Sequence, residues 1–283
     1  MFPRPIEEAT PAGRFVYRLA VLIVLLLWLL PLLAIVLTSF RTVDDLARGN
    51  YWGWPSHIAW TANYQAVFSG TPLPRYFLNS LIITVPSVIG VLILSTLSGY
   101  ALSQFHFRGS ELLFAVFVGG NFIPQQILMI PVRQLMVSTG LYDTYFALII
   151  FHVAFQTGFA TLFMRNFISA IPRELFEAAR AEGVTPFQIL RHVVLPLMRP
   201  ALAALSILAF TFIWNDYFWS IVLTQSDAVK PVTAGLANLR GQFTSQWNLV
   251  SAATIAIAIP PVLMFFFMQK HFVAGLTAGA VKG

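Results

Sequence analysis

The chain has 283 residues, of which 58% are hydrophobic and only 10% are charged, and its net charge is +6. This composition indicates an integral membrane protein rather than a globular domain. The 17 Lys and Arg residues are scattered in short segments between apolar runs, which excludes the continuous basic face that nucleic-acid binding requires. The absence of cysteine excludes disulfides, thiolate metal sites and cysteine nucleophiles.

Six apolar stretches are long enough to cross a bilayer, since about 20 residues of helix span the hydrocarbon core. The sequence therefore predicts an all-α integral membrane fold of six transmembrane helices in a single domain covering residues 1–283. The first stretch is expected to be a retained span rather than a cleaved signal peptide, because no small-residue cleavage site follows it. The predicted spans are residues 17–39, 77–103, 112–132, 144–164, 199–222 and 248–269.

The distribution of Lys and Arg predicts the orientation of these spans, because cytoplasmic loops carry the excess of positive charge. In a six-span arrangement both termini lie on the same side as the loops near 104–110 and 165–198. That side holds eleven of the 17 Lys and Arg residues, among them Arg4 and Lys282, and the opposite side holds six. We therefore expect both termini in the cytoplasm.

The largest segment on the opposite side, residues 40–76, is rich in Trp and Tyr. These rings favour the membrane–water boundary because one end is apolar and the other is polar. Two interpretations are open: an interfacial aromatic belt, or an extracytoplasmic docking surface.

Residues 172–196 differ from their surroundings in being charged and supplied with helix start and stop signals. Pro172 is suited to begin a helix that ends at Gly183, and the pattern Thr185-Pro186-Phe187-Gln188 predicts a capping box at the start of a second helix. Leu175 and Phe176 are expected on the inward face of the first helix and Glu177 on the outward face. The segment is therefore predicted to be a water-compatible helical hairpin.

The hairpin resembles the EAA loop of bacterial ATP-binding cassette (ABC) importer permeases. The matching residues are Glu177, Ala178, Ala179 and Gly183, followed after nine residues by Val193, where the family pattern has Ile, and then by Leu195 and Pro196. Three further segments are similar to the maltose-type, carbohydrate-uptake branch. They are residues 79–109, the WNDYFW stretch at 214–219 and the terminal GLTAGAVKG at 275–283.

The resemblance implies a MetI-like permease core of five helices plus an N-terminal helix. It implies that the hairpin, Arg180 included, seats in a cleft of a cytoplasmic ATPase, with Glu177 paired to a basic residue and Gly183 forming the bend. The implied partners are a homologous second permease, two copies of a cytoplasmic ABC ATPase and an extracytoplasmic substrate-binding protein. The implied substrate is a sugar or a sugar derivative.

The chain has no G-x-x-x-x-G-K-[ST] motif, so it lacks the phosphate-binding loop of an ATPase. ATP and Mg are therefore expected on the partner ATPase, with no cofactor in this chain and no enzymatic activity of its own. An intramembrane enzyme and an ion-coupled secondary transporter are the alternatives. The first lacks paired His and carboxylate motifs in this sequence, and the second requires more intramembrane carboxylates and an internal duplication.

Asp216 is the only carboxylate in the predicted spans, and a charge inside a span is a candidate for function. Aromatic rings stack on sugars while amides and carboxylates bind hydroxyl groups, so the surrounding residues favour a carbohydrate path. An interhelical hydrogen bond or an aromatic anchor is an equal alternative. His152 and Gln156 are expected to join helices rather than to line the path. The predicted path residues are Trp214, Asn215, Asp216, Tyr217 and Trp219.

Overall fold

The computed structural model describes residues 10–242 and 246–280, and every regular element in these residues is helical. Arg4, Lys282 and the last three residues of the terminal GLTAGAVKG segment lie outside the described residues. The helices are α1 Pro11–Ser39, α2 Val43–Ala47, α3 Trp60–Gly70, α4 Leu73–Gln104, α5 Ser110–Gly120, α6 Met129–Ser138, α7 Tyr145–Ile168, α8 Arg173–Ala181, α9 Pro186–Ile189, α10 Leu195–Leu197, α11 Arg199–Trp214, α12 Phe218–Leu223, α13 Val232–Gln242 and α14 Trp247–Ala280.

Four of the described helices are long and apolar enough to cross a membrane, and two bent pairs bring the count to as many as six. The all-helical fold class is confirmed, while the count of six spans stays a prediction. In the first bent pair, α5 and the segment Gln125–Ser138 meet at 97°, and in the second, Pro186–Leu197 and α11 meet at 77°. The four long helices are Pro11–Ser39, Leu73–Gln104, Tyr145–Ile168 and Trp247–Lys270.

The stretch predicted as a span at 112–132 is not one continuous helix. Helix α5 ends at Gly120, and a 3₁₀ turn over Gln125–Leu128 leads into α6. Two adjacent glycines raise the entropic cost of continuing the helix, and Pro124 cannot donate a helical hydrogen bond. The run of apolar residues therefore continues while the direction of the chain changes.

The described chain divides into two compact units, and the first comprises residues 10–71, 238–242 and 246–256. Helix α1 is continuous through Pro31, and its residues 11–33 are exposed throughout, as expected of a helix that faces lipid. Its end is held by Asn63, whose Nδ2 donates to the carbonyls of Ser39 at 2.8 Å and Arg41 at 2.9 Å. Asn248 in turn donates to Oδ1 of Asn63 at 2.8 Å.

The second unit comprises residues 72–237 and 257–280, and its centre is formed by α4, α7 and α11. Helices α4 and α7 approach closely because Gly99 has no side chain: a Cβ there would lie 2.9 Å from both the Met164 Cβ and the Arg165 backbone nitrogen. Ser98 and Thr161 also share a hydrogen bond of 2.6 Å across this contact. Small residues and interhelical hydrogen bonds join helices in a membrane, where burial of apolar surface cannot.

Candidate functional site: the EAA hairpin and the aromatic cavity

The predicted hairpin is present, and its first helix is α8. Pro172 precedes the helix as its cap, one position earlier than predicted. Gly183 ends the turn with φ of +76°, which is a left-handed conformation that glycine adopts without strain. A Cβ at this position would contact nothing within 4 Å, so the backbone conformation alone favours glycine there.

The second half of the hairpin begins at the predicted capping box. The Thr185 hydroxyl accepts from the Gln188 backbone N–H at 3.4 Å, and the Gln188 side chain accepts from the Thr185 N–H at 2.9 Å. A π-helical turn follows over Leu190–Val194, immediately before Leu195 and Pro196. The proline ring would clash with the carbonyl four residues earlier in an α-helix, and the wider turn relieves that clash.

The hairpin has one buried face and one exposed face. Phe176, Ile189 and Leu190 are buried, whereas Leu175 is 45% exposed, so its predicted inward position is wrong. The exposed face combines charge with two apolar side chains, since Phe187 is 67% exposed. Of the predicted coupling residues, Glu177, Ala178, Arg180, Gly183 and Pro196 are exposed, and Ala179 and Leu195 are half-buried.

The hairpin is attached to the end of α4 by two hydrogen bonds. The Tyr100 hydroxyl donates to the Pro186 carbonyl at 3.0 Å, and Nη2 of Arg180 donates to Oε1 of Gln104 at 3.4 Å. Tyr100 is buried, so its hydrogen bond is protected from water. The hairpin is therefore connected to α4 through these hydrogen bonds and to α11 through the chain itself.

A cavity of about 820 Å³ lies within the second unit, between the α5–α6 connection, α7, α11 and the segment that follows α11. About half of its lining residues are aromatic, and amide side chains come from Asn121, Gln125, Gln156 and Asn215. Four of the five predicted path residues line it: Asn215, Asp216, Tyr217 and Trp219.

Trp214, the fifth predicted path residue, does not line the cavity. It is only 1% exposed, its Nε1 donates to the Ile257 carbonyl at 3.1 Å, and its ring stacks on that of Phe210. Adjacent residues at the end of a helix point in different directions, and here Trp214 points into the core. Its role is structural packing.

Asp216 lies in a break in the stretch predicted as the fifth span, 199–222, which is therefore not one continuous helix. Helix α11 ends at Trp214 and α12 begins at Phe218. The carboxylate accepts from the backbone N–H of Trp219 at 3.3 Å and of Ser220 at 3.1 Å. It satisfies donors of the first turn of α12, which is the usual task of an aspartate at a helix start. This capping role stabilises the break.

His152 is brought next to Asp216, with 3.7 Å between His152 Nε2 and the carboxylate Oδ2. At this distance the two side chains are close but not hydrogen-bonded, and His152 lines the cavity, whereas it was expected to join helices rather than to line the path. Gln156, one turn further along α7, lines the cavity. The two residues thus belong to the same site as the predicted path.

Sequence reasoning missed residues that complete the cavity wall. Oε1 of Gln125 accepts from the Trp219 indole N–H at 3.0 Å, and the Phe151 ring packs on that of Trp219 with 3.8 Å between centroids. Gln125 is 94 residues from Trp219 in sequence, so no local pattern joins them. Among the described residues, no group of three or more His, Asp or Glu side chains is placed to hold a metal ion.

Comparison with known proteins agrees with these features. Residues 76–278 match the family of binding-protein-dependent transport system inner membrane components. The chain is 35% identical over 256 residues to an arabinooligosaccharide transport system permease of Halalkalibacterium halodurans, covering 89% of this chain and 91% of the relative. It is 33% identical over 271 residues to an osmoprotective compounds uptake permease of Synechocystis, covering 94% and 91%.

A solved structure has the same fold over nearly the whole chain. It is a bacterial ABC transporter involved in import of the acidic polysaccharide alginate, with 25% identity and a TM-score of 0.79, covering 96% of this chain and 100% of that chain. The family match extends over well more than half of the sequence and includes both the hairpin and the cavity. The chain therefore belongs to the family of binding-protein-dependent inner membrane transport components and is an ABC transporter permease.

Proposed function

We propose that this permease forms half of the translocation path of an ATP-driven importer for a sugar or a sugar derivative. The observation that carries the proposal is the hairpin 172–196, whose exposed charged and apolar face is attached to both α4 and α11. Large apolar side chains exposed beside charged ones, such as Leu175 and Phe187, favour a face that a water-soluble partner covers. Sugar transport is supported by the arabinooligosaccharide permease relative.

The partners in this proposal are a homologous second permease, two copies of a cytoplasmic ABC ATPase and an extracytoplasmic substrate-binding protein. ATP and Mg bind to the ATPase subunits, because this sequence has no phosphate-binding loop. Both termini and the hairpin face the cytoplasm, and residues 40–76 face the outside. The protein is a multi-pass component of the bacterial inner membrane.

The hairpin is the element through which the ATPase acts in this proposal. Glu177 is exposed and offers a carboxylate to a basic residue of the partner, and the exposed Leu175 and Phe187 side chains supply apolar contact area. Small side chains at Ala178 and Ala179 allow the partner backbone to approach. ATP-dependent closure of the two ATPases then shifts the population between inward-open and outward-open arrangements.

The cavity is the part of the path contributed by this chain. Its aromatic rings suit the apolar faces of sugars, and its amides suit hydroxyl groups. The cavity is lined by one carboxylate, Asp216, and no Lys or Arg among its described lining residues. An uncharged saccharide is therefore favoured over an acidic polysaccharide such as the alginate carried by the structural relative.

Two substitutions test the coupling role of the hairpin in the assembled transporter. Glu177→Lys reverses the charge offered to the ATPase, and Gly183→Asp strains the turn, so each is expected to abolish uptake of the cognate sugar while the protein stays in the membrane. Glu182→Lys is the matched control, because it makes the same charge change at an exposed position of the same hairpin. It is expected to retain most of the uptake activity.

Uptake, membrane abundance and copurification of the ATPase are measured together. Unimpaired transport by both Glu177→Lys and Gly183→Asp would overturn the proposal. Depletion of ATP is expected to stop uptake, while a protonophore applied at constant ATP is expected to leave it unchanged. The opposite response would favour the ion-coupled alternative.

A further inference from the structure

The segment after α1 presents a group of exposed aromatic and apolar side chains, which we term the aromatic platform. Trp52 is 68% exposed, Trp54 is 83% exposed and Ile58 is 72% exposed, with Tyr51 and Trp60 more than half exposed beside them. Three of the seven tryptophans of the chain lie between residues 52 and 60. Exposure of so many large rings in one short segment indicates a surface that something apolar covers.

The platform is held in place by Arg41, which is fully buried. Its guanidinium donates through Nη2 to the carbonyls of Tyr51 and Gly53. Asn50 adds a hydrogen bond to the Trp54 carbonyl at 3.0 Å and accepts one from the Gly53 N–H. The backbone that carries the rings is thus fixed on the side that faces the protein, and the rings themselves point away from it.

Asp45 supports the same loop. Its carboxylate accepts from the Ser56 N–H at 3.0 Å. Hydrogen bonds from Ser56 hold the pKa of Asp45 below its usual value, and the positive charge of Arg41 acts in the same direction. The carboxylate is therefore charged at neutral pH and attracts Arg41, so both ends of the loop are tied to the segment that directly follows α1.

The platform has a fixed distance from the end of a membrane helix. The Ala59 N–H donates to the Phe40 carbonyl at 2.8 Å, and Asn63 holds the carbonyls of Ser39 and Arg41. Helix α1 has 29 residues, which gives a length of about 43 Å and exceeds the hydrocarbon core of about 30 Å. Helix α1 is therefore long enough to extend beyond the hydrocarbon core, and the segment that carries the rings is tied to the end of this helix.

The charge pattern identifies what covers the rings. Residues 49–74 contain no Asp, Glu, Lys or Arg, whereas Asp44 and Arg48 precede the platform on exposed positions. Exposed polar side chains such as Ser56 and Gln65 are present in this stretch, but it offers no charged side chain to a hydrated protein partner. Indole and phenol rings on an uncharged backbone match the boundary between lipid headgroups and acyl chains.

We propose that the aromatic platform, fixed by Arg41, inserts into the headgroup–acyl boundary of the extracytoplasmic leaflet of the inner membrane. This insertion sets the depth of α1 in the bilayer. Its partner is the phospholipid bilayer itself. The extracytoplasmic binding protein is the competing occupant, and the experiment separates the two.

The chain has no cysteine, so Trp54→Cys introduces the only thiol of this subunit for a nitroxide label. The labelled subunit is assembled with cysteine-free partners and placed in nanodiscs of phosphatidylethanolamine and phosphatidylglycerol. Accessibility to oxygen and to a water-soluble nickel complex then gives the depth of the label. Trp28→Cys on the exposed face of α1 is the hydrocarbon reference, and Asp44→Cys is the aqueous reference.

We expect the oxygen-to-nickel accessibility ratio at position 54 to lie between the two references. A ratio equal to that at position 44 would place the ring in water, and protection from both reagents would place it against protein. Either result overturns the proposal. In the Arg41→Met variant, the nitroxide label at position 54 is expected to gain mobility. An unchanged nitroxide spectrum would show that Arg41 does not hold the platform in place.

Discussion

Gly99 allows α4 and α7 to pack with their backbones in contact, and the neighbouring atoms cannot move aside. A Cβ at this position would lie 2.9 Å from the Arg165 backbone nitrogen as well as from the Met164 Cβ. The position therefore tolerates no side chain without separation of two long helices. Its importance is geometric rather than conformational, since its φ is that of an ordinary helix.

Gly99→Ala is expected to destabilise the protein by about 1 to 3 kcal/mol, the usual cost of overpacking a well-packed contact. Thermal unfolding of the purified protein in detergent measures the effect. Gly119→Ala is the matched control, because Gly119 is also helical and a Cβ there would meet nothing within 4 Å. Equal stability of the two variants would show that α4 and α7 are not in close contact.

Asp143 lies just before α7, and its carboxylate binds the loop that follows α12. Its Oδ1 accepts from the backbone N–H groups of Gln225 at 2.7 Å and Ser226 at 3.0 Å, and its φ of +60° is unusual for a residue other than glycine. Burial raises the pKa of its carboxyl group, but the hydrogen bonds from Gln225 and Ser226 outweigh burial and the pKa lies below its usual value. The charged form is therefore favoured in the folded protein.

Asp143→Ala is expected to lower the free energy of unfolding by about 1 to 2 kcal/mol at pH 7, since charge-assisted hydrogen bonds are lost. The stabilisation is present above the unfolded pKa of about 3.9 and is lost as the pH falls through the folded pKa, so the difference from wild type narrows in acid. Asp143→Asn keeps an acceptor oxygen and tolerates positive φ, and it is expected to lose less. Unfolding curves at several pH values measure all three proteins, and a difference that does not change with pH contradicts the assignment.

At the scale of the element, the hairpin was predictable because its signals are local. A left-handed glycine and a capping box act within four residues, and both Gly183 and the Thr185–Gln188 pair have the predicted geometry. The exposure of Leu175 was not predictable in this way. The face that a short helix buries depends on its contacts with other elements. The spacing of apolar residues within the helix does not determine those contacts.

The breaks in the stretches at 112–132 and 199–222 were missed for a different reason. A run of apolar residues measures how much chain can lie in lipid, but it does not give the direction of the chain. In the sequence, Asp216 is a carboxylate inside a predicted transmembrane helix. An aspartate three residues before Trp219 is also a signal for the start of a helix. The proximity of His152 to Asp216 involves residues far apart in sequence, so it is visible only in the tertiary structure.

Two substitutions of Asp216 separate its capping role from a role in transport. Asp216→Asn keeps an oxygen that can accept from the N–H groups of α12, whereas Asp216→Ala removes it and is expected to cost about 0.5 to 2 kcal/mol of stability. Thermal unfolding compares the two variants with wild type. Uptake that falls in Asp216→Asn at unchanged stability assigns the charge to transport, and equal stability of the Asn and Ala variants contradicts the cap.

At the scale of the whole molecule, the family and the all-helical fold followed from motifs spread along the sequence, while the orientation still depends on counting charges. The expected arrangement has both termini in the cytoplasm and residues 40–76 outside. Alkaline phosphatase fused after Gly70 is expected to be active, and the same enzyme fused at the C-terminus is expected to be inactive. A green fluorescent protein at the C-terminus provides the reciprocal control, and the inverse pattern would contradict the assigned orientation.

The segment Pro186–Leu197 and helix α11 meet at 77°, so their axes are nearly perpendicular. In the proposed importer, a force applied to Pro186–Leu197 along the membrane surface would tilt α11. Helix α11 has 16 residues, so it is about 24 Å long, and a tilt of about 10° moves its far end by about 4 Å. That end carries Asn215 and Asp216 at the wall of the cavity. In the proposed importer, a displacement of this size at the cavity wall would change the width of the substrate path in response to a small movement of the ATPase.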